Sequence, residues 1–139
     1  MTNPAPFERE KLIRFHHCDP AGIVFYPQYF VLFNELVEDW FEEGIGIDFA
    51  RLHTERRLGV PMAHLECDFV SPSKIGDRLG FKLTVDRIGN SSIALSVVAQ
   101  RGDDVRVRAK LVLVLASLDA RRPVPIAPDM RAILERFKC

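Results

Sequence analysis

The sequence has few cysteines, no excess of either charge and no long apolar run, and each absence excludes a class of protein. Three cysteines (Cys18, Cys67 and Cys139) form an odd set without CxxC spacing, which argues against a disulfide framework. The 19 basic and 19 acidic side chains leave no excess charge to attract nucleic acid or an anionic membrane. The most apolar run, residues 111–116, is far shorter than the roughly 20 residues that cross a bilayer.

The first ten residues, MTNPAPFERE, contain neither the basic nor the apolar segment of a secretion signal. We therefore expect a cytoplasmic protein with reduced cysteines and no membrane partner. The chain has 139 residues, of which 47% are hydrophobic, so it can bury a sizeable core and is not a disordered tail. Because no repeat or Ser/Gly linker divides the sequence, we expect a single domain over residues 1–139.

A long helix is predicted over about residues 27–43. Pro27 suits the first helical position, since proline lacks the N–H that would be unpaired there, and Gly44 and Gly46 are typical stops. Apolar side chains cover more than half of the circumference, which requires a large apolar surface around the helix. The acidic side chains fall on one stripe and are Glu35, Glu38, Asp39 and Glu42.

Apolar and polar side chains alternate in the rest of the chain, which predicts an antiparallel sheet with one apolar face. The expected strands cover residues 7–15, 63–70, 79–86, 93–99 and 105–115, and a short helix is expected after Pro128. In the last of these strands, Arg106, Arg108 and Lys110 are predicted to face away from the core. A sheet wrapped around the long helix would cover both apolar surfaces, which is an α+β arrangement.

Asp19 lies in a loop shaped by Pro20 and Gly22, just before the long helix. The first N–H groups of a helix lack internal partners and carry the positive end of its dipole, so they can hold an oxyanion. A carboxylate beside them can act as a nucleophile or as a general base. These groups meet the needs of thioester hydrolysis, although an Asp before a helix is also a common turn or cap residue.

The run CDPAGIV at residues 18–24, followed by Tyr26-Pro27 and Tyr29, resembles the 4-hydroxybenzoyl-CoA thioesterase family of hotdog-fold thioesterases. The segments FVSP at residues 69–72 and GDRL at residues 76–79 support the resemblance, which covers nearly the whole chain. It implies a hotdog fold, in which a curved antiparallel sheet of about five strands wraps around one long central helix.

The resemblance also implies a site and a reaction. Asp19 would be the catalytic carboxylate, and the backbone N–H of Tyr26 would polarise the thioester carbonyl. The substrate would be an acyl-CoA, preferably with an aromatic acyl group such as 4-hydroxybenzoyl or benzoyl. CoA is part of that substrate, and the family uses no metal or other cofactor. Family members are dimers or tetramers with active sites between subunits, so a homodimer or homotetramer is expected.

Further residues are expected to contact the substrate. Those near the catalytic loop are Gly22, Phe25 and Tyr29, and those at the turn after the third strand are Arg87, Ser91 and Ser92. The family has a cluster of basic residues at that turn for the CoA phosphates, whereas this chain has only Arg87 there. The other candidate cations for these phosphates are Lys74, Arg121 and Arg122.

Two other functions stay open. A hotdog hydratase or dehydratase would pair His16 or His17 with an acid on the helix of another subunit, for which Glu35 is the candidate. Glu35 is also the rival of Asp19, because another branch of hotdog thioesterases has its carboxylate on the helix. A non-catalytic acyl-CoA-binding module would use the same cleft.

Metal and thiol chemistry are not expected. The adjacent residues His16, His17, Cys18 and Asp19 cannot readily converge on one tetrahedral ion. Cys18 is interpreted as a small buried hydrophobe rather than a nucleophile, since nothing in the sequence indicates a lowered thiol pKa.

Overall fold

Three helices and two antiparallel sheets make up residues 4–139, the part of the chain that the computed structural model describes. In chain order the elements are β1 (Phe7–Leu12), a 3₁₀ turn (Phe15–His17), α1 (Tyr26–Asp39), a π-helical turn (Trp40–Ile45), α2 (Phe49–Thr54), β2 (Leu58–Gly59), β3 (Met62–Phe69), β4 (Arg78–Ile88), β5 (Ser92–Arg101), β6 (Asp104–Val114), β7 (Ala116–Ser117), β8 (Arg122–Pro123) and α3 (Pro128–Glu135).

The large sheet has five strands in the order β1-β4-β5-β6-β3, and every neighbouring pair is antiparallel. Its apolar face packs on α1, where the Phe33 and Phe81 rings lie 6.3 Å apart and both side chains are fully buried. The alternation in β4 puts Leu79, Phe81 and Leu83 in the core, as its period of two predicts. The predicted α+β hotdog fold, a five-stranded antiparallel sheet with one long helix, is confirmed.

The long helix continues through Gly44, one of the two glycines that were predicted to end it. Helical winding continues as a π-helical turn through Gly44, where an added Cβ would lie only 2.7 Å from Cδ1 of the buried Trp40. The winding ends at Gly46, whose φ of +84° is left-handed and whose N–H donates to the Phe41 carbonyl at 2.8 Å. Gly44 therefore serves close packing against Trp40, and Gly46 ends the helix.

The first predicted strand is too long. It ends at Leu12 instead of residue 15, and Phe15–His17 form a 3₁₀ turn. His17 Nδ1 accepts the Arg14 N–H at 2.8 Å, and the Cys18 N–H donates to the Phe15 carbonyl, which closes the turn. The Phe15 side chain is 83% exposed, so no core contact favours an extended chain here.

The predicted pattern of β6 is wrong at Arg106. This residue was expected on the solvent face with Arg108 and Lys110, but it is buried. Ala99 pairs with Val107 and Gln100 with Val105, so Arg106 is the extra residue of a β-bulge. A bulge breaks the period of two and re-aims the side chain, which alternation along the sequence does not reveal.

The small sheet, of order β2-β7-β8, and helix α2 were not predicted. Both are short, and α2 depends on a local cap in which Asp48 accepts the Arg51 N–H at 3.0 Å. Between residues 4 and 139, no helix combines the length and the apolarity needed to cross a membrane.

Candidate active site

The loop that carries Asp19 is closed by its own hydrogen bonds. The Ala21 N–H donates to Asp19 Oδ1 at 2.9 Å, and the Gly22 N–H donates to the Asp19 carbonyl at 2.9 Å. Gly22 has a φ of +80°, a conformation that favours glycine. Asp19 Oδ2 accepts no hydrogen bond from residues 4–139. One carboxylate oxygen thus shapes the turn, and the other stays available for chemistry.

Helix α1 begins directly after this loop with an unpaired amide. Phe25 precedes the helix in an extended conformation and provides no side-chain cap. The Gln28 N–H donates to the Phe25 carbonyl, and Pro27 has no N–H. Within the described part of the chain, the Tyr26 N–H has no acceptor. It therefore offers a hydrogen bond at the positive end of the helix dipole.

A pocket of about 270 Å³ opens beside Tyr26. Tyr29 and Phe69 line it, and their ring centroids lie 5.9 Å apart. Ser73 lines it as well, next to the Tyr29 hydroxyl. That hydroxyl is fully buried and has no hydrogen-bond partner among residues 4–139, and burial raises its pKa. The pocket thus combines aromatic walls with an unused hydroxyl donor.

His17 and Glu35 line a separate polar cavity of about 290 Å³, together with His16 and Arg14. Burial of His17 lowers its pKa, the charge of His16 adds to this, and Glu35 opposes it. His17 is therefore a neutral imidazole near neutral pH, with Nδ1 as the acceptor of the Arg14 N–H. Histidine and acid meet here within one chain, whereas the sequence predicted a pair across two subunits.

A further cavity, of about 670 Å³, lies elsewhere in the molecule. Asn34 and His53 line it, and Arg121 and Arg122 contribute to its wall. Neither Asp19 nor Tyr26 is among its lining residues. Two of the candidate cations for CoA phosphates thus border this cavity, while Lys74 pairs with Ile23 next to the Asp19 loop.

Arg87, Ser91 and Ser92 lie at the other end of the sheet. β4 has 11 residues and runs from beside the Asp19 loop to the turn that holds the two serines, a distance of about 30 Å. The Gly89 N–H donates to the Ser92 carbonyl at 2.8 Å, and the Leu115 N–H donates to the Ser91 carbonyl at 2.8 Å. Within one chain, Gly22 lies in the Asp19 loop, and Phe25, Tyr26 and Tyr29 follow it at the start of α1, whereas this turn lies at the far end of β4.

Cys18 and Cys67 have the environment of protonated thiols. The Cys18 thiol donates to the Arg14 carbonyl at 3.6 Å, and burial followed by the charge of Asp19 raises its pKa. Burial raises the pKa of Cys67 to about 11. A thiol is a poor nucleophile compared with a thiolate. In residues 4–139, no three His, Cys, Asp or Glu side chains are grouped so that they could hold a metal ion.

Three buried polar residues near this loop were not singled out as site residues from the sequence: Ser73, Asp77 and Arg106. Arg106 donates to both of the others. The sequence position of Asp77 could have indicated its role. It lies between Gly76 and the start of an apolar strand, and an acid that is buried there requires a cationic partner. The identity of that partner depends on the bulge in β6, which the sequence does not reveal.

The family model of the Thioesterase-like superfamily matches residues 13–134, which include Asp19, α1 and most of the large sheet. The chain belongs to the Thioesterase-like superfamily. The broader part of the predicted resemblance is thereby confirmed, while membership of the narrower 4-hydroxybenzoyl-CoA thioesterase family stays a prediction.

Individual members of the Thioesterase-like superfamily are similar to this chain at low identity. A 1,4-dihydroxy-2-naphthoyl-CoA hydrolase from Crocosphaera subtropica is 26% identical over 85 residues, which cover 61% of each chain. The chain spans only 61–62% of the length of the first curated relatives that it matches.

Solved structures show the same fold. The crystal structure of a 1,4-dihydroxy-2-naphthoyl-CoA thioesterase from Synechocystis superposes with a TM-score of 0.84 at 20% identity, covering 94% of this chain and 96% of the other. The structure of a gentisyl-coenzyme A thioesterase superposes with a TM-score of 0.83 at 22% identity, covering 92% and 99%.

Proposed function

We propose that the protein hydrolyses an acyl-CoA thioester to a free acid and CoA. The observation that carries this proposal is the short loop that joins Asp19, whose Oδ2 is free, to the unpaired Tyr26 N–H at the start of α1. The first can attack or deprotonate, and the second can stabilise the oxyanion that forms on the thioester carbonyl. Membership of the Thioesterase-like superfamily supports the same reaction.

Asp19 can act in two ways. As a nucleophile, its carboxylate adds to the carbonyl carbon and expels CoA as a thiolate, and water then hydrolyses the resulting anhydride to the acid and free Asp19. As a general base, it takes a proton from a water molecule that attacks the carbonyl carbon and expels the CoA thiolate directly. In both routes the Tyr26 N–H donates to the thioester oxygen. No step in either route calls on a metal or a cofactor.

The proposed acyl group is aromatic. The Tyr26, Tyr29 and Phe69 rings form the wall of the pocket beside the amide, and Phe25 packs on Tyr26 with ring centroids 5.4 Å apart. The named substrates of the similar proteins, 1,4-dihydroxy-2-naphthoyl-CoA and gentisyl-CoA, support this preference. We propose 4-hydroxybenzoyl- and benzoyl-CoA within the same class.

A dimer or tetramer would complete the site. Within one chain, the length of β4, about 30 Å, separates Arg87, Ser91 and Ser92 from the end of the sheet beside the Asp19 loop. Two copies of the chain that each contribute one part would bring these residues and Asp19 to the same substrate. We therefore propose a homodimer or homotetramer in which CoA lies between subunits.

The test is product release from a panel of 4-hydroxybenzoyl-, benzoyl-, phenylacetyl-, 1,4-dihydroxy-2-naphthoyl-, butyryl- and octanoyl-CoA, quantified by chromatography. We expect an aryl thioester to be cleaved best and Asp19→Asn to lower kcat/KM by roughly 10²–10⁴-fold. Asp103→Asn, in an exposed hairpin turn, is the matched control. An inert panel would contradict hydrolysis, and tight binding without turnover would favour the binding module.

The two roles of Asp19 can be separated by a single turnover in water labelled with ¹⁸O. Label found in the Asp19 carboxylate would support the anhydride, because water then attacks that intermediate. Label confined to the released acid fits direct attack by water and also an anhydride that water opens at its acyl carbonyl, so only label in Asp19 decides between the routes.

A hydratase is the second candidate, because His17 and Glu35 line one polar cavity. This function predicts that His17→Gln abolishes water addition to an enoyl-CoA, while Asp19→Asn leaves that addition nearly unchanged. Hydration that requires Asp19 but not His17 would exclude the His17–Glu35 site, and an absence of hydration would exclude the function.

A further inference from the structure

A buried ion pair lies next to the Asp19 loop. Arg106 is 9% exposed and Asp77 is 4% exposed, and Arg106 Nη1 donates to Asp77 Oδ2 at 2.9 Å. Arg101 donates to Asp77 Oδ1 at 3.0 Å, and Arg106 Nε donates to Asp104 Oδ2 at 2.8 Å. Both oxygens of the Asp77 carboxylate are therefore used, as a buried charge requires.

This pair holds the loop of residues 71–77 between β3 and β4. Arg106 Nη1 also donates to the Pro72 carbonyl and to Ser73 Oγ, each at 3.0 Å. The Lys74 N–H donates to Asp77 Oδ2 at 3.0 Å. A single guanidinium thus contacts two residues near the beginning of the loop and Asp77 at its end, and its position follows from the bulge in β6.

The same loop binds both ends of the segment that carries Asp19. Upstream, the Ile13 N–H donates to the Asp77 carbonyl and the Gly76 N–H donates to the Ile13 carbonyl, both at 2.8 Å. Downstream, the Val24 N–H donates to the Ser73 carbonyl at 2.8 Å, two residues before the Tyr26 amide. A shift of the loop would therefore move the carboxylate and the amide.

Electrostatics keep the pair charged at neutral pH. Burial by itself would raise the pKa of Asp77, but hydrogen bonds from Lys74 and Arg106 and the charges of Arg106 and Arg101 outweigh it, and the pKa lies below its ordinary value. For Arg106, the contacts with Asp77 and Asp104 likewise outweigh burial and raise its pKa.

We propose that Arg106 and Asp77 are positioning residues for hydrolysis, which act by fixing residues 71–77 and through them the Asp19 carboxylate and the Tyr26 amide. This inference rests on the proposed function. Neither side chain contacts the reacting atoms, so their loss acts on the geometry of the transition state. A misplacement of about 1 Å can lower a rate by about 10²-fold.

The kinetic test uses Arg106→Lys and Asp77→Asn, with each variant shown to be folded by circular dichroism. We expect kcat to fall at least ten-fold in both, while KM stays within about two-fold, because the substrate-contacting groups remain. Arg57→Lys, in the exposed Arg57–Asp119 pair, is the matched control and keeps the wild-type kcat. An unchanged kcat in Arg106→Lys and Asp77→Asn would overturn the proposal.

Leu134→Ala separates positioning from general destabilisation, because Leu134 is fully buried in α3 and belongs to none of the hydrogen bonds that join Arg106, Asp77 and residues 71–77. It should unfold at lower denaturant than wild type and yet keep its kcat at 25 °C. A loss of kcat as large as that of Arg106→Lys would mean that stability alone explains the effect, which overturns the proposal.

Amide hydrogen exchange supplies a readout besides activity. In Arg106→Lys we expect the Ile13 and Val24 amides to exchange at least ten-fold faster, while amides in the middle of β5 keep their rates. Unchanged exchange at Ile13 and Val24 would overturn the proposal even if kcat fell. If the wild type cleaved no thioester, the proposed function would fail, and exchange would still decide whether the ion pair holds the loop.

Discussion

The two ends of the large sheet are stabilised in different ways. At the Asp19 end lie all four of the buried polar or charged side chains found in residues 4–139, which are His17, Ser73, Asp77 and Arg106. At the opposite end, the turn between β4 and β5 is held by backbone hydrogen bonds and by Arg131, which donates to the Ile88 and Gly89 carbonyls from a half-buried position.

This difference indicates what the buried charges do. Buried apolar side chains follow β5 along its whole length, from Ile93 to Ala99, so the fold itself does not require an ion pair at one end. A buried ion pair adds little net stability compared with a well-packed apolar group, but it fixes one arrangement of the groups that it binds. A site that must hold its reacting groups in one geometry would explain why polar side chains are buried at only one end of the sheet.

The largest predicted effect comes from removing the Arg106–Asp77 ion pair at the Asp19 end of the sheet. Arg106→Gln leaves the Asp77 charge buried without its main partner, which should cost about 3–5 kcal/mol of unfolding free energy. Arg131→Gln, at the other end, removes hydrogen bonds to carbonyls that water can reach and should cost about 1 kcal/mol. Urea unfolding of both variants measures the difference, and equal costs would show that the two ends are held alike.

Alanine substitutions at two glycines test the role of the Asp19 loop separately from that of the ion pair. Gly22 and Gly102 both have positive φ, +80° and +59°, and a Cβ at either would meet nothing within 4 Å. An alanine at each should therefore cost a similar backbone strain, about 1–2 kcal/mol in unfolding experiments. Only Gly22→Ala should also lower kcat on the best thioester, because Gly22 shapes the turn around Asp19. Equal loss of kcat in both variants would contradict that role.

The pH dependence of stability tests the buried His17. Its pKa in the folded chain is lowered from 6.5, so the unfolded chain binds more protons as the pH falls below that value. The stability that neutral His17 contributes is fully present above pH 6.5 and is lost as the pH falls through its folded pKa. We expect His17→Gln to lose less unfolding free energy than wild type between pH 7.5 and 5, measured by urea unfolding. Parallel curves for the two proteins would contradict this.

The smallest effect concerns the far end of the sheet. If Arg87 contacts the CoA phosphates from a second copy of the chain, Arg87→Gln should raise KM about two- to five-fold at low salt without changing kcat, as for an exposed ion pair. Arg108→Gln, which removes an exposed arginine from β6, is the matched control. A KM that responds equally to both changes would assign the effect to overall charge.

Local pattern predicted the elements in which most residues follow one period. The strands in residues 79–86, 93–99 and 105–115 and the long helix were found because one apolar face is enough to specify them. The pattern failed where contacts distant in sequence override it. Gly44 stays inside the helical winding because Trp40 packs on it, and Arg106 turns inward because β6 has one residue more than β5 at that point.

The sequence by itself determined the fold class, the superfamily resemblance and the loop that carries Asp19, because these depend on periodicity and on one contiguous run of residues. Only the tertiary structure decided which polar groups surround that loop. Asp77 and Arg106 are 29 residues apart in the chain, and their contact depends on strand order and on one bulge, neither of which local sequence encodes. The structure likewise separated Arg87, Ser91 and Ser92 from Asp19, since the length of β4 keeps them at opposite ends of one sheet.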